Sequence, residues 1–257
     1  MSDDGNIKLE RQQGVLHLVI DRPQRKNALT QAMYAALAEA IEEADGSVRA
    51  ILLSGAGGCF TSGNDLQDFI SKPPAGADSP VARFMRALHL TEKPVVAAIQ
   101  GPAVGIGTTL LLHCDLVYAG QSAQLQMPFA NLGLCPEYAS SLLLPRLTGH
   151  VRAAQLLLLG EAFSASQALE YGLVNQVVDD AQLLDCALQR CRQLAQQPPA
   201  AIRHTKRLMK QALREPVEQA MQREMAYFTS GLQSEEFSEA AEAFVEKRQP
   251  DFSRFGS

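Results

Sequence analysis

No apolar run in this chain is long enough to cross a membrane. "AILLSG", "PVVAAI" and "TLLLHC" are the size of strands or core helices. The polar, acidic N-terminus "MSDDGNIKLE" lacks the apolar segment of a signal peptide, and "RFGS" at the C-terminus is not a peroxisomal address. No Lys/Arg stripe accompanies the net charge of −5, which argues against nucleic acid and against a membrane surface as partners. The five cysteines, at 59, 114, 135, 186 and 191, are an odd number with no CxxC pair, so they read as reduced thiols of a cytoplasmic protein. The five histidines have neither HExxH nor clustered spacing, so no metal site is expected. A GxSxG nucleophile elbow is also missing, and Cys59 and Cys135 read as buried thiols rather than nucleophiles. The glycine runs "GAGG" and "GIG" match neither GxGxxG nor GxxxxGK[ST], which argues against a nucleotide loop. They read as tight turns, or as main-chain N–H groups left free for an oxyanion.

What is present is an alternation. "GVLHLVID" (14–21), "VRAILLSG" (48–55), "KPVVAAIQG", "DLVYAG", "AQLQMP" and "LVNQVVDD" predict strands. Met33, Leu37 and Ile41 recur at helical spacing behind Thr30 as N-cap, predicting a helix over 31–44. Further helices are expected at about 80–91, 137–145, 151–159 and 164–171, and in the stretch after "GIG". The helix over 164–171 opens on a capping box, Ser164 with Gln167, and stops at Gly172. "SKPPAGADSP" (71–80) predicts a mobile loop. From about Ala181 onward the pattern is helical, so an α/β body over 1–195 carries a helical region over 196–257.

The stretch "NLGLCPEYASS" (131–141) holds one carboxylate, Glu137, among Leu, Cys, Pro and Ala. Pro136 fits the first position of a helix and Glu137 the second, where the helix dipole favours an acid. The apolar walls also predict a raised pKa, which suits a proton shuttle. Both readings stand on the residues alone.

Several ordered stretches together resemble the crotonase (enoyl-CoA hydratase/isomerase) superfamily. They are "DRPQRKNAL", "SGAGGCFTSGNDL", "KPVVAAIQGPAVGIGTTLLLHCDLVYAG", "LLLGEAFSASQALEYGLVNQVV" and "AAEAFVEKRQPDF", and they span about 14–252. The resemblance implies an α/β fold, a spiral of ββα turns, with C-terminal helices that build homotrimers or hexamers. It implies an acyl-CoA thioester as substrate and no cofactor, CoA being part of the substrate. Two main-chain N–H groups that hold the thioester oxygen fall, by motif, on Asn64 and Ile106, behind Gly63 and Gly105, which permit tight turns. The same comparison puts Arg25, Ala28, Ser62, Gly63, Asp65 and Leu66 near CoA. Phe84, Met85 and Leu88 line the acyl tail or simply fill the core. Lys247 reaches a neighbouring subunit's CoA phosphate or is a solvated helix residue. Hydratases of the family carry acids where this chain has Thr109 and Phe129. With those positions empty, "NLGLCPEYASS" resembles the Δ3,Δ2-enoyl-CoA isomerases of the peroxisomal type, whose single Glu corresponds to Glu137. The expected activity is 3-enoyl-CoA to 2-enoyl-CoA isomerisation in fatty-acid β-oxidation. Other crotonase chemistry, such as hydration, and a non-catalytic acyl-CoA-binding module remain as alternatives.

Overall fold

A strand buried on both faces reads as an unbroken apolar run, because a neighbour lies on each side of it. That is the state of the central strands here. The structure, a computed structural model, describes residues 6–71, 76 and 78–256; of the expected mobile loop, residues 72–75 and 77 lie outside the described residues.

The chain opens with β1 (Asn6–Gln12) and β2 (Val15–Asp21), then α1 (Gln31–Glu42), β3 (Ala50–Gly55), α2 (Leu66–Ser71), α3 (Pro80–Leu90) and β4 (Val95–Ile99). Next come β5 (Pro102–Val104), the short α4 (Ile106–Thr109) running into a 3-10 turn over Leu110–His113, β6 (Leu116–Gly120) and β7 (Gln124–Gln126). Then follow α5 (Ser140–Thr148), α6 (His150–Ala154) running into a π turn over Gln155–Leu159, β8 (Phe163–Ser164), α7 (Ala165–Glu170) and β9 (Gln176–Val178). The chain closes with α8 (Asp180–Gln196), α9 (Pro199–Gln211), α10 (Arg214–Gly231) and α11 (Glu235–Glu246).

A six-stranded sheet has the order β1-β2-β3-β4-β6-β9, parallel except for the β1–β2 hairpin. A second sheet of three strands has the order β5-β7-β8. Leu16, Leu18, Ile20, Ile51, Leu53, Ala97 and Ile99 face the main core, which includes Met33, Tyr34, Leu37 and Ile41 of α1 and Phe84, Met85 and Leu88 of α3. The alternate residues Val15, Ala50, Leu52, Val96 and Ala98 pack on Leu183, Ala187 and Cys191 of α8. The expected capping box of α7 forms, Ser164 bonding to Gln167 in both directions.

Strand β1 was not expected, because among its residues only Ile7 is buried and an exposed edge strand carries no alternation to read. The expected helix over 137–145 is corrected to Ser140–Thr148: Tyr138 and Ala139 are left-handed, at φ 60° and 56°, and cannot continue a right-handed helix from Pro136. Glu137 therefore sits on a turn rather than at the second position of a helix.

At the far end, α9 is tied to the body by an ion pair between buried Lys206 and half-buried Asp115. Lys206 Nζ lies 2.7 Å from Asp115 Oδ2 and donates to Lys93 O at 2.6 Å, while Val95 N–H donates to the same Asp115 oxygen at 2.8 Å. Among the described residues no helix is long and apolar enough to cross a membrane, and no group of three His, Cys, Asp or Glu could hold a metal ion.

Candidate active site

Beyond the C-terminal ends of β3 and β4 the chain is stitched across two loops. Thr61 N–H donates to Pro102 O at 3.0 Å and Val104 N–H donates to Thr61 O at 3.0 Å, forming an isolated parallel bridge between Thr61 and Ala103. Asn64 and Ile106 each lie three residues past the bridged pair. A second bridge, Leu29 to Asn64, is bonded through Leu29 N–H to Gly63 O (2.8 Å) and Asp65 N–H to Leu29 O (2.9 Å). Alternation along an extended strand then turns the N–H of Asn64 away from Leu29. Ile106 opens α4, and a first-turn N–H has no partner inside its own helix. Gly63 sits at φ 93°, and a Cβ there would meet Val104 O at 2.9 Å, so this close approach of the loops requires glycine. Gly105 sits at φ 57°. The Asn64 side chain is used elsewhere: its Oδ1 accepts from the Tyr34 hydroxyl at 2.5 Å.

Glu137 is buried, 6% exposed. Its Oε1 accepts from Thr109 Oγ1 at 2.5 Å. Burial raises its carboxyl to about 8; the Thr109 bond works the other way by favouring the anion, and nearby Glu224 adds to the rise. The turn that carries Glu137 is fastened on both sides. The Tyr138 hydroxyl donates to Met85 O at 2.8 Å. His113 stacks on the Tyr138 ring at 3.7 Å, and its Nε2 lies 2.8 Å from Tyr138 O. Burial lowers His113 to about 3, so the ring is neutral and Nε2–H donates to that carbonyl. From α10, Glu224 accepts the N–H groups of Ala139 and Ser141.

The other expected residues divide into groups. Ser62 donates its N–H to Lys26 O at 2.9 Å, in the same loop system as Arg25 and Ala28, whose N–H donates to Arg25 O at 3.0 Å. Asp65 pairs with Arg22 at 2.6 Å and accepts from the N–H groups of Gln67 and Asp68 at the start of α2, which begins at Leu66; its carboxylate is held by the fold. Phe84 is fully buried with its ring 5.6 Å from that of Tyr34, and Leu88 and Met85 are core residues. Phe129 is buried edge-on against Phe228, ring centroids 6.5 Å apart. Lys247 is exposed just past α11, at φ 56°. Sequence reasoning missed Tyr34 and Glu224, and it read Thr109 only as a missing acid. Nothing local marks Tyr34 or Glu224, since each acts on a residue distant in the chain.

The family profile for enoyl-CoA hydratase/isomerase matches residues 10–254. The 1,2-epoxyphenylacetyl-CoA isomerase of Escherichia coli K12 is 39% identical over 94% of this chain and 95% of its own length. Human enoyl-CoA delta isomerase 2 is 31% identical over 91% of this chain, which spans 62% of that protein. The structure of Pseudomonas aeruginosa OdaA superposes with a TM-score of 0.91 at 51% identity, covering 93% of this chain and 98% of that one. Relatives carry hydratase as well as isomerase names. The buried carboxylate, the two stitched loops and these likenesses agree: the chain belongs to the crotonase (enoyl-CoA hydratase/isomerase) family of enzymes.

Proposed function

We propose that the protein isomerises 3-enoyl-CoA thioesters to 2-enoyl-CoA, with Glu137 as its one acid–base group. The observation that carries this reading is the Glu137 carboxyl, buried, held by the Thr109 hydroxyl and raised to about 8. A base with a proton affinity near the working pH both takes and returns a proton well. Ionised Glu137 takes a proton from C2, beside the thioester carbonyl. The C2–H electron pair moves into the dienolate, whose oxygen accepts from the main-chain N–H groups of Asn64 and Ile106. The same proton then bonds to C4, and Glu137 is ionised again. Nothing is added to or lost from the substrate.

Hydration of a double bond calls for a second acid–base group. The positions where family hydratases carry their acids hold Thr109 and Phe129, and the carboxylate nearest Glu137 in effect, Glu224, has both oxygens committed to α5. Phe129, buried against Phe228, supports a dry site. We also propose that Arg25, Ala28 and the 62–66 loop meet CoA. A homotrimer or hexamer is proposed through the C-terminal helices, where Leu208, Met209 and Tyr227 are exposed.

The test is 3-hexenoyl-CoA followed by the absorbance of the conjugated product. Wild type should turn it over, and Glu137→Gln should be slower by about 10²- to 10⁴-fold. Equal inactivity with CoA esters still bound would instead favour a binding module. Hydration of 2-enoyl-CoA at a rate indifferent to Glu137→Gln would overturn the assigned base. A second substrate is favoured by the higher identity to the E. coli relative: 1,2-epoxyphenylacetyl-CoA, also an isomerisation. Assaying both thioesters side by side distinguishes them.

A further inference from the structure

The helix that begins just after Glu137 has no cap of its own. Ala139 occupies the N-cap position of α5 and has no side-chain oxygen to offer the first N–H groups. Glu224 supplies the cap from α10. Its Oε2 accepts from Ala139 N–H at 2.5 Å, and its Oε1 accepts from Ser141 N–H at 3.0 Å and also from the Ser141 hydroxyl. Glu224 is buried, and a buried carboxylate persists where charge-assisted hydrogen bonds satisfy it. The clamp closes on the two consecutive left-handed residues, Tyr138 and Ala139, that follow Glu137. Two such residues in a row are sterically costly and persist only where the surroundings hold them.

We propose that Glu224 is a positioning residue for Glu137: it locks the left-handed Tyr138–Ala139 turn and so fixes the direction in which the Glu137 carboxylate enters the site. This rests on Glu137 being the base. Glu137 is faced by Thr109 of α4, Tyr34 of α1, Cys135 and Tyr138 of its own loop, and Glu224 of α10. Arg223 faces Glu224 from the same helix, and His113, stacked on Tyr138, is neutral. Glu224 is the group in this set whose charge raises the proton affinity of Glu137. Glu224→Gln removes that charge and turns an amide NH₂ toward a main-chain N–H. Glu224→Asp keeps the charge on a shorter arm, and the milder Ser141→Ala removes one donor of the clamp.

The experiment measures kcat and KM on 3-hexenoyl-CoA across pH, corrected for folded enzyme. In Glu224→Gln, kcat should fall about 10- to 100-fold, as small misplacements of reacting groups do. KM should stay near wild type, and the ionisation midpoint should move to lower pH. Glu224→Asp should restore the midpoint and part of kcat, and Ser141→Ala should lower kcat severalfold. Unchanged kcat and midpoint in both Glu224→Gln and Ser141→Ala overturn the proposal. So does a loss of activity that disappears once it is corrected for the fraction of enzyme folded. A substrate-free measurement separates this from the isomerase reading: the pH range over which Glu137→Gln raises the melting temperature, taken in the wild-type background and again in the Glu224→Gln background. A range displaced downward by Glu224→Gln supports the link between Glu224 and Glu137 even if 3-hexenoyl-CoA is not a substrate. An unmoved range overturns it even if 3-hexenoyl-CoA is.

Discussion

At residue scale, Glu137 sets stability against chemistry. Its folded carboxyl titrates at about 8 against an ordinary 4.5. The folded chain therefore binds this proton more tightly than the unfolded chain does. For a raised acid the contribution is full below the unfolded value and is lost as pH rises through the folded one. The loss between pH 4.5 and 8 amounts to at most about 5 kcal/mol, at 1.36 kcal/mol per unit. Glu137→Gln should melt close to wild type near pH 5 and clearly above it near pH 8.5. A melting-temperature series in matched buffers reads this, and a variant with no gain at high pH would indicate an ordinary carboxyl. Activity runs the other way, since a base must be ionised: kcat/KM should climb toward about pH 8 and level off. The apolar neighbours of Glu137 made its raised proton affinity legible in the sequence. The Thr109 hydroxyl bonded to it was not, because that contact is made by folding rather than by chain proximity.

At element scale, the stitched loops depend on one missing side chain. Gly63→Ala would place a methyl 2.9 Å from Val104 O on a backbone at φ 93°, so the loop must shift. Left-handed strain at a non-glycine residue costs about 1–3 kcal/mol. The expected outcome is a destabilisation of that order in chemical denaturation, with kcat/KM reduced and circular dichroism unchanged. The strands β2, β3 and β4 and the helices α1 and α3 were legible because their apolar periods are long and their caps stand in the sequence. The start of α5 was not. Pro136 and Glu137 carry the signs of a helix start, yet Tyr138 is drawn to Met85 and Ala139 to Glu224, and those tertiary bonds move the start to Ser140.

At the scale of the whole molecule, the C-terminal helices belong to the working structure. Lys206 pins α9 to Asp115 at the start of β6. Without Lys206, half-buried Asp115 keeps Lys210 Nζ at 3.6 Å and the Val95 N–H, so the loss is that of the charged hydrogen bonds rather than of an orphaned buried charge. Lys206→Ala should therefore lower the unfolding free energy in urea by about 1.5–3 kcal/mol, and a change below about 1 kcal/mol would show the pair to be as weak as a surface one. The bridge between Thr61 and Ala103 has a different consequence. The two candidate donors are main-chain groups placed by counting: three residues on from each half of one bridge. The side chains at 64 and 106 only fasten these amides, Asn64 through Tyr34 and Ile106 through the core, whereas deleting one residue between 61 and 64 would slide one amide out of phase with the other. What this pair of amides asks of the sequence is an interval, and an interval leaves no mark in composition or in any single residue.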